Sequence, residues 1–255
     1  MLSYQRKQAI IEYMETNGAI SISELSELLT VSDMTIRRDL KLLEMEGLVK
    51  RTHGGAIRTQ VTPHELRFEE KKGFQQERKV RIAKFAVEHF VSDNSVILLE
   101  GGTTVSCMAN SLHPFRNLTV VTNGLNTLAI LKRMTPYSSI LSSGGMLRDI
   151  SHTFVGPLAE QFFAQIHGTH AFFSASGYTR EQGFTDPNML ECQVKKAMRR
   201  AAKRSIMLID STKFGNLALL TTFLLKEMDV VITDDGAPQD VLEHLQDSGI
   251  QVHVV

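Results

Sequence analysis

Apolar residues recur at helical spacing in the first third of the chain, where they predict consecutive short helices. The first helix covers residues 3–17, and Asn17-Gly18 is typical of a left-handed cap at its end. A second helix follows at once, because Ser21 and Glu24 have the spacing of a capping box and precede an apolar stripe.

A third helix is predicted to begin at Ser32 and to end at Gly47, with an apolar face made of Ile36, Leu40 and Leu43. The next stretch, "LVKRTHGGAI" (48–57), has the pattern of a two-stranded hairpin with Gly54-Gly55 near its turn. Three helices and a hairpin within residues 1–57 predict a winged helix-turn-helix domain.

The pattern then lapses over residues 58–75, which hold Pro63, Gly73 and many charges, and which we interpret as a linker. From residue 76 to residue 255 short apolar runs alternate with helical patterns: "SVILLE", "LTVVT", "SSILSS", "HAFFSAS", "SIMLID", "DVVIT" and "IQVHVV". This alternation predicts a largely parallel sheet covered by helices. The expected fold class is therefore α/β, with an N-terminal winged helix-turn-helix joined to a larger α/β domain.

Composition changes this picture little. The chain has 255 residues, with 28 Lys and Arg against 28 Asp and Glu, so its formal net charge is zero and a basic surface can only be local. Cys107 and Cys192 form no disulfide framework and suit a reducing compartment. No four-ligand Cys/His spacing suggests zinc, no cofactor motif appears, and no apolar run is long enough to cross a membrane, so we expect a cytoplasmic protein without metal or cofactor.

The third helix has the place of the helix that enters the DNA major groove in a helix-turn-helix. Its apolar face would pack inward, which leaves polar and basic residues outside. We expect DNA contacts from the helix start, the helix face and the hairpin: Ser32, Met34, Thr35, Arg37, Arg38, Lys41, Lys50, Arg51 and His53. Spacing alone leaves an alternative open, a solvated helix face whose arginines pair with acids such as Asp39 and Glu44.

In the second domain, the turn "GGTT" (101–104) joins a predicted strand to a predicted helix and could cradle an anion, although such turns more often only connect elements. Three further polar loops, at 122–124, 142–148 and 211–215, also follow predicted strands. Ligands of open α/β sheets bind at the carboxyl ends of strands, so convergence of these loops would form a pocket. The basic helix at 191–204 carries charges all around it, and most of them are expected to be solvated.

Residues 22–57, "ISELSELLTVSDMTIRRDLKLLEMEGLVKRTHGGAI", resemble the N-terminal signature of the DeoR family of bacterial transcriptional regulators. The resemblance continues through "GGTT", "VVTNGLNTL", "SSGGMLR", "VGPLAEQFF", "SASG", "VKKAM" and "DSTKFG", in the order of that family's effector domain. It covers nearly the whole chain.

The resemblance implies that the helix with the double arginine is a recognition helix for double-stranded operator DNA. It also implies an effector domain with a fold similar to ribose-5-phosphate isomerases and CoA-transferases, which senses a phosphorylated sugar or polyol. Such regulators are mostly repressors of carbohydrate-catabolism operons, and we expect a homo-oligomer, either dimer or tetramer. The implied effector-binding residues are Gly102, Thr103, Thr104, Thr122, Asn123, Gly144, Gly145, Arg148, Lys195 and Lys213.

Two residues depart from the family pattern, since His170 and Glu100 stand where Asp is usual, and both could change the choice of ligand. An isomerase of this fold carries acids on the strand that matches "HAFFSASG" (170–177), which has none here, so no catalytic residue is expected. Glu100, Asp186 and Glu191 remain as carboxylates outside any matching motif. An isomerase-like enzyme with a DNA-binding domain, and a regulator with a vestigial pocket, are the alternatives.

Overall fold

The computed structural model describes residues 3–45, 49–58, 65–132 and 139–255. These residues divide into two compact units, Met1–Leu66 and Arg67–Val255. The helix end expected at Gly47, and the part of the expected linker that contains Pro63, lie outside the described residues.

The first unit contains three helices and a small sheet, as the apolar pattern predicts. Its elements are α1 (Ser3–Asn17), β1 (Ala19–Ser21), α2 (Ile22–Leu29), α3 (Asp33–Met45), β2 (Val49–Arg51) and β3 (Gly55–Arg58). The strands are antiparallel in the order β1-β3-β2. The expected two-stranded wing therefore has a third strand, which the sequence analysis missed because three residues are too few to show a period.

Polar contacts fix the helix ends of this unit. The Ser21 hydroxyl accepts a hydrogen bond from the Glu24 backbone N–H, and the Glu24 carboxylate accepts one from the Ser21 N–H, so the predicted capping box is present. The Ser32 hydroxyl accepts a bond from the Thr35 N–H at 3.3 Å, as predicted for the start of α3. These caps set the direction in which α2 and α3 present their outer faces.

The second unit is built from helices and strands that alternate along the chain. Its helices are α4 (Phe68–Gly73), α5 (Gln76–Phe90), α6 (Thr103–Met108), α7 (Leu125–Leu131), α8 (Pro157–Phe163), α9 (Met189–Arg200) and α10 (Gln239–Asp247). Its strands are β4 (Val96–Leu99), β5 (Thr119–Thr122), β6 (Ser139–Ser142), β7 (Met146–Arg148), β8 (Thr153–Val155), β9 (Gly168–Phe173), β10 (Gly177–Thr179), β11 (Gly183–Asp186), β12 (Ala202–Leu208), β13 (Leu220–Phe223), β14 (Val230–Thr233) and β15 (Gln251–Val254).

Within the described residues, the seven apolar runs predicted as strands form one parallel sheet in the order β15-β14-β12-β9-β4-β5-β6. The chain moves outward from β4 to β6, then returns to β9 on the other side of β4 and moves outward again. The direction of winding therefore reverses between β4 and β9. Open α/β sheets bind ligands at such a reversal, beyond the carboxyl ends of the strands.

Both faces of this sheet are covered by apolar layers. Helices α5, α6 and α7 supply one layer, with Ile82, Val105 and Leu131 against the sheet. Helices α8, α9 and α10 supply the other, which includes Phe163 and Met198. Two small antiparallel sheets, β10-β11-β13 and β7-β8, lie beside the large sheet. They are the parts of this unit that the apolar pattern does not predict.

Residues 67–75, which the sequence analysis places in the linker, lie in the second unit. The Phe68 side chain is buried, and its N–H donates to the Ile150 carbonyl at 2.7 Å. Burial of this ring lets the six residues of α4 pack as a helix despite their charges.

Candidate functional site

The outer face of α3 carries the residues predicted to contact DNA. Met34 has 74% of its surface exposed, and Arg37, Arg38 and Lys41 are exposed, while Thr35 is half-buried. Within the described part of the chain, no hydrogen bond or ion pair engages the Arg37, Arg38 or Lys41 side chains. The face therefore offers three cations to a partner.

Asp39 does not serve as a surface partner for those arginines. Its side chain is fully buried, and its Oδ2 accepts a bond from Arg6 Nε at 2.8 Å. This pair joins α1 to α3 inside the first unit. The alternative interpretation, in which Asp39 neutralises the outer face of α3, is therefore wrong for this residue.

The hairpin places its basic residues at the surface. Lys50, Arg51 and His53 are all exposed. The Arg51 N–H donates to Glu44 at 2.8 Å, and the Arg51 Nε lies 3.8 Å from the same carboxylate. Glu44 thus holds strand β2 beside α3. The Arg51 charge is partly neutralised by the Glu44 carboxylate within the unit.

In the second unit, polar loops gather at the carboxyl ends of three adjacent strands. The 101–104 turn follows β4, the 122–124 loop follows β5, and residues 143–145 follow β6. Gly144 and Gly145 have φ of +60° and +105°, a region that glycine favours. The fourth predicted loop follows β12, which is separated from β4 by β9.

Two of the predicted effector residues hold these loops to one another. The Asn123 Oδ1 accepts from the Gly101 N–H at 3.0 Å, and its Nδ2 donates to the Phe154 carbonyl at 3.2 Å. The Thr122 hydroxyl accepts from the Gly124 N–H at 3.0 Å. Both side chains are buried, so their bonds shape the pocket wall. Of the neighbouring predicted residues, Thr104 is buried, whereas Gly102 and Thr103 are half-buried.

A buried charge cluster, consisting of Glu100, Arg148, Asp186, Glu191 and Lys195, occupies the reversal point of the sheet. The Lys195 Nζ lies 2.8 Å from Asp186 Oδ2 and 3.8 Å from Glu100 Oε1. Only 4% of Lys195 is exposed. The Lys195 charge is thus neutralised by carboxylates, an environment that its expected role in effector binding does not predict.

The second ion pair of the cluster joins Arg148 to Glu191, with Nη1 3.0 Å from Oε1. The Thr153 hydroxyl donates to the same carboxylate at 2.8 Å. Burial works to raise the pKa of Glu191, but Lys195 and the hydroxyls of Ser151 and Thr153 hold that pKa below its ordinary value. Glu191 is therefore ionised at neutral pH.

The pKa of Glu100 is shifted in the opposite direction. Burial raises the pKa of Glu100, and nearby Lys195 opposes that rise without cancelling it. Its Oε2 accepts bonds from the N–H and the hydroxyl of Ser174, at 3.1 Å and 2.8 Å. The serine-rich end of β9, which has no acid of its own, is therefore bound to an acid from the end of β4. Carboxylates in this arrangement can accept hydrogen bonds from ligand hydroxyl groups.

Sequence reasoning named Glu100, Asp186 and Glu191 only as isolated carboxylates. They come from the ends of β4 and β11 and from the first turn of α9, and no motif spacing joins them. Glu100 directly follows the apolar run of β4, whereas no comparable signal marks Asp186 or Glu191.

His170 does not belong to this site. It lies four residues before Ser174, and its ring is 6.4 Å from the Phe90 ring of α5. Burial and the neighbouring Arg204 lower its pKa. The expectation that this departure from the family pattern alters ligand choice is therefore not supported by its position.

Lys213, the last predicted effector residue, stands apart from the buried charge cluster. It is half-buried beyond β12, and its Nζ lies 6.0 Å from the centre of the Phe74 ring. Near it, Asp210 has a lowered pKa: burial works to raise that pKa, but Lys213 and Lys79 outweigh this effect. Lys213 and Lys79 thus act on the buried carboxylate of Asp210 at this end of the sheet.

Across the described ranges, no group of His, Cys, Asp and Glu residues has the arrangement of a metal site. The helices of the same ranges include none that is long and apolar enough to span a membrane.

Comparison with known proteins identifies both units. Residues 6–62 match the DeoR-like helix-turn-helix domain, and residues 74–235 match the DeoR C terminal sensor domain. The HTH-type transcriptional regulator GolR of Listeria innocua is 34% identical over 100% of this chain and 99% of its own. The lactose phosphotransferase system repressor of Staphylococcus epidermidis is 32% identical over 92% and 94% of the two chains.

Among solved structures, ribose 5-phosphate isomerase A of Methanocaldococcus jannaschii matches 55% of this chain and 54% of its own, with 16% identity and a TM-score of 0.38. The full-length relatives carry names of transcriptional regulators and none of an enzyme. With a helix-turn-helix domain at one end and a sensor domain at the other, the chain belongs to the DeoR family of transcriptional regulators.

Proposed function

We propose that this regulator is a repressor of a carbohydrate-catabolism operon, which binds double-stranded operator DNA as a homo-oligomer and responds to a phosphorylated sugar or polyol. Because it acts on DNA, we place the proposed regulator in the cytoplasm. The name of its staphylococcal relative supports the repressor role and the carbohydrate class.

The observation that carries the DNA-binding proposal is the exposed basic face of α3. Arg37, Arg38 and Lys41 point outward, while the acid between them, Asp39, is turned inward to Arg6. Arginine can bond a guanine edge or a phosphate with two parallel hydrogen bonds. A helix that begins at a capped N-terminus beside a wing presents these groups as the major groove requires.

Replacing Arg38 by Ala should weaken operator binding by about 1–3 kcal/mol if it makes a two-bond base contact. The Arg37→Ala, Arg38→Ala double variant should lose specific binding. An operator can be selected from random DNA with the wild-type protein, and affinities measured by fluorescence anisotropy at fixed salt.

Arg200→Ala is the matched control, because Arg200 is an exposed arginine at the end of α9 in the other unit. This variant should bind the operator like the wild type. Circular dichroism must show that the double variant is folded. Normal operator affinity of the folded double variant would disprove the role of α3.

The effector proposal is supported by the polar loops at the carboxyl ends of β4, β5 and β6 and by the cations beyond β12. The predicted contacts in these loops, such as Thr103, Gly145 and Lys213, are half-buried or exposed. A ligand can change DNA binding only through its different affinity for the two states of the regulator, typically about 1–3 kcal/mol of coupling.

A further inference from the structure

The buried charge cluster leaves an incoming phosphate without its expected cation. Lys195 Nζ already has Asp186 and the Ser174 carbonyl at 2.8 Å each. Burial lowers the pKa of Lys195, but the carboxylates of Asp186, Glu100 and Glu191 raise it well above its ordinary value. A phosphate placed here would have to compete with fixed carboxylates, and Lys213 likewise has the buried carboxylate of Asp210 beside it, so a cation without such a partner must be sought.

A cleft of about 290 Å³ lies on the α5–α7 face of the sheet, close to the 101–104 turn. This volume is near the lower end of the range of small-molecule sites. Its walls come from α4, α6, α7 and the start of α5, and include Phe68, Lys72, Thr103, Cys107, Asn126 and Ile130. Of the described residues that line it, none carries a carboxylate.

Lys72 is the charged group of this cleft. Its side chain is exposed and makes no hydrogen bond or ion pair within the described residues. Across the cleft, burial raises the pKa of the Cys107 thiol, while the charges of Lys79 and Lys72 act to lower it. The positive charge of Lys72 therefore acts on the Cys107 thiol inside the cleft. The half-buried Thr103 hydroxyl is likewise without a partner among the described residues.

The opposite wall is suited to hydroxyl groups. Asn126 Nδ2 lies 2.7 Å from His152 Nδ1, which leaves its amide oxygen as an acceptor. The amides of Gln76 and Asn110 also line the cleft, while Ile130 and Phe68 give it an apolar side. A cation at one end and amides along one side fit a phosphorylated polyol better than a neutral sugar or an apolar compound.

We propose that this cleft binds the phosphorylated effector, with Lys72 as the counter-ion of its phosphate, and that α4 passes the binding event to the segment leading to the DNA-binding unit. The inference rests on the proposed function, because it supplies the site and the route for the same effector.

Helix α4 can serve as this route because it begins the second unit and lines the cleft. Its attachments include the Phe68 N–H to the Ile150 carbonyl, the Phe68 ring stacked on His152 at 5.4 Å, and the exposed pair of Arg67 and Asp149. At the other end, the Lys79 amine donates to the Lys71 carbonyl. A ligand held between α4 and α6 adds contacts to α4, and therefore favours the arrangement in which α4 is packed against the second unit.

A tryptophan placed in the cleft tests the site directly, because the chain contains no Trp. Ala129→Trp adds the reporter on the exposed, cleft-facing side of α7, and Asn110→Trp is a second reporter should the first misfold. Gln246→Trp, on the exposed surface of α10, is the matched control. The compounds are ribose 5-phosphate, glucose 6-phosphate, galactose 6-phosphate, glycerol 3-phosphate and inorganic phosphate, each organic ester beside its unphosphorylated parent.

We expect at least one ester to change the fluorescence of the cleft reporter saturably, its parent to act far more weakly, and the α10 reporter to stay unchanged. In the reporter background, Lys72→Ala should weaken that ester by about tenfold or more, since it removes a charge-assisted hydrogen bond. Lys72→Arg should restore much of the affinity. Lys203→Ala, which removes an exposed lysine at the start of β12, should have no effect.

Operator binding of the wild-type protein, measured with the same compounds, separates the two proposals. One possible result is an ester that changes operator affinity without changing the fluorescence of either cleft reporter. That result would disprove effector binding in the cleft and leave the proposed function intact. Equal affinity of the Lys72→Ala variant and its parent reporter overturns the role of Lys72. If no compound changes either operator affinity or reporter fluorescence, the phosphate class is wrong in both proposals.

Discussion

At the residue scale, Lys79 is a cation buried in the interior of the second unit. Its side chain is 2% exposed, between α5 and the end of α4. Burial lowers the pKa of Lys79 from 10.5 to about 8, with Asp210 opposing this effect and Lys213 adding to it. Between these two values the folded chain has lost a proton that the unfolded chain keeps. The Lys79 contribution to the free energy of unfolding must therefore rise as pH increases from about 8 to 10.5.

Lys79→Met should remove this rise, which amounts to roughly 1.4 kcal/mol for each pKa unit of the shift. Urea unfolding of both proteins across that pH range measures the effect. Burial raises the pKa of Cys107, which titrates nearby with the opposite sign, and the Lys79 charge acts on that pKa, so both proteins carry Cys107→Ser to isolate Lys79. A difference that stays constant with pH would contradict the prediction.

Residue types predicted the exposed basic face of α3 better than they predicted the surroundings of Lys195. The outer face of α3 depends only on helical spacing, which is local. Lys195, in contrast, meets Asp186 from β11 and Glu100 from β4, and such meetings depend on the strand order. The inward position of Asp39 likewise depends on Arg6, 33 residues away.

At the scale of elements, the capping box of α2 offers a clean test of local stability. Ser21→Ala removes the hydroxyl that accepts the Glu24 N–H, and should destabilise the first unit by about 1 kcal/mol. Ser21→Thr keeps a hydroxyl that can accept the Glu24 N–H and donate to the Glu24 carboxylate, and should restore most of the loss. Thermal unfolding followed by circular dichroism compares the three proteins. Equal stability of the Ala and Thr variants would show that the cap contributes nothing.

Long elements were predictable and short ones were not. Each strand of the parallel sheet overlaps an apolar run of the sequence, because strands that are covered on both faces are mostly apolar. The three-residue strands β1, β7, β8 and β10 contain too few positions to show alternation. Helix α4 was missed because charged residues surround its one buried ring, Phe68.

At the scale of the whole molecule, we expect self-association. A single winged unit makes few base contacts, and regulators of this kind gain affinity by binding two half-sites about one DNA turn apart. Light scattering should therefore give a mass of two or four times 28.5 kDa, both free and on DNA. A mass of one chain in both states at micromolar concentration would refute this expectation.

The strand order of the large sheet also determines when each unit can be completed during synthesis. The described helices and strands of the first unit all lie within the first 58 residues. Strand β4 gains its second neighbour only when β9, which ends at Phe173, has been made. Parallel pairs need crossovers and form slowly, and domains generally fold in order from the N-terminus. A ribosome that has just finished β6 therefore carries a DNA-binding unit with all its parts, attached to a sensor that still lacks its middle strand.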